Sequence, residues 1–158
     1  MTSHKISTKT MARIAAVQVL YQYKIEDTDK NIDLIMQQIV KYYKDEGPKS
    51  SEVRLLNKPM KVRISISHFE RLVKNVTSNI IEIDKVISNN LASEWLISSL
   101  PLLLLALLRV GVGELQFLQD VPSKVVINEF TDIASEMLDE NEVGFVNSIL
   151  DRISKQDR

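Results

Sequence analysis

Residues 67–90 read SHFERLVKNVTSNIIEIDKVISNN. Phe69, Leu72, Val73, Val76, Ile80, Ile83 and Ile87 recur along this stretch at the spacing of one helix face. An α-helix gathers them into a single apolar stripe about five turns long. Ser67 followed three residues later by Glu70 is a capping-box pattern, which predicts the start there, and Asn89-Asn90 supplies a stop. The same period recurs on both sides. Ile32, Ile35, Met36, Ile39, Val40 and Tyr43 form one face of a helix over 32–43. A first helix over about 10–24 presents Met11, Ile14, Val17 and Tyr21. Ser99 and Pro101 open a further helix that continues through Leu102 to Val110. The break Asp120-Val121-Pro122-Ser123 starts another, with Val126, Phe130, Ile133, Ala134 and Met137 inward. A last helix begins near Asn141 and buries Val143, Val146, Ile149, Leu150 and Ile153. The one short alternation, residues 62–66, reads as a lead-in to the third helix. The predicted fold class is therefore all-α.

Residues 44–61, KDEGPKSSEVRLLNKPMK, are polar, hold two prolines and show no period, which predicts a long flexible loop. The two helices before it cannot bury their apolar faces alone and must pack on the third. The apolar run Leu100–Leu108 is far short of the roughly 20 residues a membrane helix needs. It reads as a buried helix. The N-terminus carries no secretory signature.

The chain has 158 residues, 44% of them hydrophobic, 26% charged, and a formal net charge of −1. That fits a globular protein with a real core. The charge is uneven: residues 1–63 hold 12 Lys/Arg against 7 Asp/Glu, and residues 64–158 hold 8 against 14. Such asymmetry fits either one anion-facing end or an uneven solvated surface. With no cysteine there is no disulfide, thiolate nucleophile or cysteine zinc site, as expected of a cytoplasmic protein. The two histidines, His4 and His68, are far apart, and His68 reads as a surface residue of a first helical turn. Gly111-Val112-Gly113 lacks the third glycine and the preceding strand of a phosphate loop. Asp139, Glu140 and Glu142 sit where a helix begins and favour its dipole. No enzyme, metal or cofactor is expected from these residues.

The N-terminal 24 residues contain Lys5, Lys9, Arg13 and Lys24 and no acid. Lys9 and Arg13 stand one above the other on the first helix, with Tyr21 and Tyr23 beyond. Cations beside aromatic rings suit single-stranded nucleic acid, though a solvated helix start has the same composition.

Residues 107–151, LLRVGVGELQFLQDVPSKVVINEFTDIASEMLDENEVGFVNSILD, carry three blocks in order. These are Leu108-Arg109 through Glu114-Leu115, Val121 through Glu129, and Phe145 through Asp151. Together with Ala12-Arg13 and Ala16-Val17-Gln18-x-Leu20-Tyr21, and with Trp95 where many members have tryptophan, they resemble the NusB family. The resemblance spans nearly the whole chain outside 44–61. It implies two small packed helical bundles forming one compact domain over 1–158. It implies a transcription antitermination factor that binds boxA RNA of ribosomal RNA leaders with a small-subunit ribosomal protein, NusE, within an RNA polymerase antitermination complex. A protein–protein adaptor with weak RNA binding is the alternative.

Carried over residue by residue, RNA binding falls to Lys9, Arg13, Gln18, Lys124, Phe145 and Asn147. The three cations would meet phosphates, Phe145 would stack on a base or pack partly into the core, and Asn147 would read a base edge. Asn128 and Glu129 look more like internal fixings of the bundle. The chain departs from the family twice. It has fewer cations before the first helix, which implies greater dependence on the partner protein. It has Leu104-Leu105 where relatives carry an acid and a base. With leucine at 102–105, 107 and 108 the helix is apolar almost all round. Such a helix is either central in its bundle or covered by another chain. Because relatives place charges at these two positions, Leu104 and Leu105, with Tyr21, are expected to face a partner, either the ribosomal protein or a second copy of the chain, with burial in the core as the alternative.

Overall fold

A computed structural model describes residues 6–23, 32–45 and 63–157, except the side chain of Asp157. Its helices are α1 (Thr8–Gln22), α2 (Ile32–Asp45), α3 (Ile66–Ser78), α4 (Ile80–Asn89), α5 (Leu102–Phe117), α6 (Ser123–Met137) and α7 (Glu140–Asp157). A short 3-10 turn, Ile97–Ser99, precedes α5. There is no strand among the described residues. Of the expected loop, Lys44 and Asp45 close α2, and residues 46–61 lie outside the described residues.

The stripe over 67–90 is real but belongs to two helices. Phe69, Leu72, Val73 and Val76 are buried from α3, and Ile80, Ile83 and Ile87 from α4. The helix breaks at Asn79, whose side-chain amide donates to the carbonyl of Asn75 at 2.8 Å. Asparagine competes in this way with the helical backbone ladder. The start also differs from the capping-box expectation. Ser65, not Ser67, caps α3, its hydroxyl accepting from the His68 amide at 3.3 Å.

The centre of the molecule is α5, which packs against α1, α3, α4, α6 and α7. α1 packs with α2 and α3, α6 packs with α7, and these two groups share α5 as a common wall, with α4 set against α5 and α3. Leu107, Leu108, Val110, Val112 and Leu115 are buried on several sides of this one helix. Gly111 and Gly113 lie inside α5 and admit its neighbours. A Cβ at 113 would stand 2.5 Å from Val76 Cγ2, and one at 111 would stand 3.3 Å from Leu150 Cδ1.

The apolar girth of α5 thus has an internal explanation. Leu104 is 3% and Leu105 8% exposed within the single chain. The expectation that they face a partner or a second copy is corrected. Leucines in place of charges are accommodated because α5 is already surrounded. Two charged residues interrupt the helix, and both are paired. Arg109 donates through Nε and Nη2 to the carboxylate of Asp84 at 2.8 and 2.9 Å. The other charged residue is Glu114.

Candidate nucleic-acid interface

Glu114 is fully buried and organises the inner end of α1. Arg13 Nε and Nη2 donate to its two carboxylate oxygens, each at 2.7 Å. His68 Nε2 lies 3.1 Å from Glu114 Oε2. The remaining arm of Arg13, Nη1, donates to Glu129 Oε1 at 2.8 Å, and the Thr10 hydroxyl donates to the same oxygen at 2.6 Å. One bidentate pair and three side bonds therefore tie α1, α3, α5 and α6 together. Burial works against both charges, yet the mutual hydrogen bonds outweigh it. The Glu114 carboxyl is held below the usual glutamate range by Arg13 and His68, and Arg13 is raised.

These contacts correct two expectations. Arg13, 3% exposed, is not a surface cation available to phosphate. Its donors face two carboxylates that folding brings from more than a hundred residues away. His68 is buried rather than a surface residue of a first turn. Glu129 performs the internal fixing its place in the motif suggests, whereas its neighbour Asn128 is exposed.

The other expected residues lie further out. Lys9 is exposed beside Thr10, at the point where α1 meets α6. Lys124 is exposed in the first turn of α6. Lys124, Asn128 and Thr131 follow at i, i+4 and i+7, hence along one side of that helix. Asn147 of α7 is exposed and donates to the Thr131 hydroxyl at 3.2 Å, which closes the seam between the two helices. Phe145 is partly buried against the core. It also lines a groove of about 870 Å³ with Trp95, Leu100, Leu104 and Arg152. Trp95 itself is 54% exposed. Gln18 accepts a hydrogen bond from the Tyr43 hydroxyl at 2.8 Å and so helps dock α2 on α1. Tyr21 is 50% exposed and lines a separate groove with Val17, Gln18, Tyr42, Leu103 and Met137. The structure thus sets Lys124 and Asn147 along the α6–α7 side, places Phe145 in a groove on the opposite flank of α7, and keeps Arg13 inside.

Glu114 is the functional-region residue that motif reading passed over. The signal was present: a carboxylate inside a helix that is otherwise apolar must find a partner, because charges are rarely buried alone. Glu140 and Glu142 do stand in the first turn of α7. The Glu142 side chain accepts from the Asp139 amide at 3.1 Å, a capping bond rather than a site.

Comparison with known proteins adds the family. The model described as NusB family matches residues 10–155. Transcription antitermination protein NusB of Rickettsia bellii (strain OSU 85-389) is 45% identical over 158 residues, covering 100% of this chain and 97% of the relative. The protein of the same name from Rickettsia massiliae (strain Mtu5) is 46% identical over 156 residues, covering 99% and 97%. In three dimensions, T. maritima NusB superposes with a TM-score of 0.73 at 27% identity, covering 97% of this chain and 94% of that one. A NusB chain crystallised with NusE and double-stranded RNA shares the fold, with a TM-score of 0.71 at 24% identity, covering 94% and 97%. Matched along the central and C-terminal blocks and aligned end to end with named relatives, the chain belongs to the NusB family of transcription antitermination proteins.

Proposed function

We propose that the chain binds boxA-type RNA of ribosomal RNA leaders jointly with the ribosomal protein NusE. The assembly then supports processive transcription by RNA polymerase in the cytoplasm. The observation that carries this reading is the match of residues 10–155 to the family. A neighbour of the same fold has been solved with NusE and RNA, which supports the pairing of partners. On this reading Lys9 and Lys124 neutralise phosphates, Asn147 meets a base edge, and Phe145 offers a ring face from its groove. Tyr21, half exposed on the α1–α2 side, belongs to the surface offered to the ribosomal protein. Arg13 and Gln18 act from behind, by holding α1 and α2 in place. The decisive experiment measures binding of a labelled boxA RNA by the purified protein, with and without NusE. Binding in neither condition would reject the proposal.

One observation favours a second reading, a protein–protein adaptor with weak RNA affinity of its own. With Arg13 inside, Lys9 is the one exposed cation on α1. Binding that appears only when NusE is added, with tight NusE binding in the absence of RNA, would select this reading.

A further inference from the structure

We propose that Gly144 is a close-approach point at which the RNA strand crosses the bare backbone of α7. The inference rests on the RNA-binding reading above. Phe145 and Asn147 are two residues apart, so at about 100° per residue they leave nearly opposite flanks of the helix. The inner side is taken by Val146, Ile149, Leu150 and Ile153, all buried. A strand that touches both flanks must therefore pass over the outer side. There, at the height of these two residues, stand Gly144 and Ser148, both exposed.

Glycine inside a helix is unfavourable compared with alanine, because it adds backbone freedom that folding must remove. At Gly111 and Gly113 the chain has a packing reason for it, since Leu150 and Val76 occupy the space a side chain would need. Gly144 has no such reason. Among the described residues, nothing beyond its chain neighbours and its own helix backbone lies within 4 Å of where its Cβ would be. The vacant space opens outward, between the Phe145 groove with Trp95 and Arg152 on one flank and the Asn147–Thr131 seam on the other. Acids flank this crossing at Glu140 and Asp151, the latter paired with Lys155 at 3.0 Å. The bare segment therefore suits a sugar and base surface rather than a phosphate.

The test uses Gly144→Ala and Gly144→Leu, both better helix formers than glycine. Each should raise the thermal midpoint by about 2–4 °C. Each should also weaken binding of a fluorescein-labelled single-stranded boxA RNA, read with and without NusE, by severalfold for alanine and at least about tenfold for leucine. Opposite signs on stability and binding separate a ligand approach from a role inside the fold. If the parent binds RNA and Gly144→Leu binds equally well, the crossing is wrong and the RNA reading stands. If the midpoint falls together with affinity, the glycine serves the fold and the proposal is overturned. If the parent binds RNA in neither condition, both readings fail together.

Discussion

The inner end of α1 and the outer face of α6 and α7 make an instructive pair. Both lie in blocks that match the family, and both contain a basic residue that sequence reading assigns to phosphate. Lys124 is exposed at the start of its helix, where solvent or an anion can reach it. Arg13 is enclosed by Glu114 and Glu129 with all three guanidinium nitrogens engaged. A cation in a helix does not reveal its direction. What decides it is whether the same chain supplies buried carboxylates at matching geometry. Arginine's planar fork makes it the better candidate for enclosure, and lysine's hydrated ammonium the better candidate for the surface.

The comparison can be broken first at its most apolar point. Leu104→Glu combined with Leu105→Lys places two charges in the wall that both helical groups share. Destabilisation by several kcal/mol is expected, which urea unfolding of the isolated protein measures. A fold of unchanged stability would return these positions to an interface. Next in size is Arg13→Ala, which leaves Glu114 buried with only His68 beside it and should cost about 3–5 kcal/mol. Lys124→Ala, the outer counterpart, should move stability by less than about 0.5 kcal/mol. Equal effects of the two substitutions would erase the distinction between the regions.

Periodicity made the helices legible, because stripes at 3.6 residues depend on local spacing alone. It did not reveal the break at Asn79, since the stripe runs on through it and only the backbone ladder is interrupted. It misjudged His68 and Arg13 for a different reason. Their partner, Glu114, is 46 residues from one and 101 from the other, and burial among helices distant in sequence leaves no periodic trace. Leu104 and Leu105 were ambiguous because an apolar helix reads alike whether other helices of its own chain or a partner cover it. Lys124 and Asn147 came from motif matching and Lys9 first from the acid-free N-terminus, and all three are exposed.

Acid should act on the inner region and spare the outer one. Glu114 has a folded pKa below its unfolded value, so its contribution to stability is present at neutral pH and persists down to the unfolded value of about 4.3. The contribution is lost as pH falls further, through the folded pKa. Asp132 works in the opposite sense. Partial desolvation of this otherwise exposed side chain, then the nearby Glu129, raises its pKa, so protonation partly offsets the loss. Unfolding free energy measured from pH 7 to 3 should therefore fall mainly below about pH 4.3. The Glu114→Gln protein, weaker at neutral pH, should show a shallower dependence. A parallel profile in that variant would move the acid sensitivity to another carboxylate.

The smallest stability effects belong to the outer cations, and there the readout must be RNA. Lys9 and Lys124 project from α1 and α6, helices joined by the Thr10–Glu129 bond. If each neutralises one phosphate of a single strand, its loss should reduce the slope of log affinity against log salt by about 0.7. Lys9→Ala and Lys124→Ala should therefore weaken boxA binding most at low salt, while unfolding curves overlay those of the parent. Arg13→Ala predicts a different pattern. Any loss of RNA affinity should follow the loss of folded protein, and the salt slope of the fraction that remains folded should match the parent's. A reduced slope for folded Arg13→Ala would mean that the guanidinium leaves Glu114 when RNA arrives. The inner and outer regions would then be two states of one site rather than two kinds of environment.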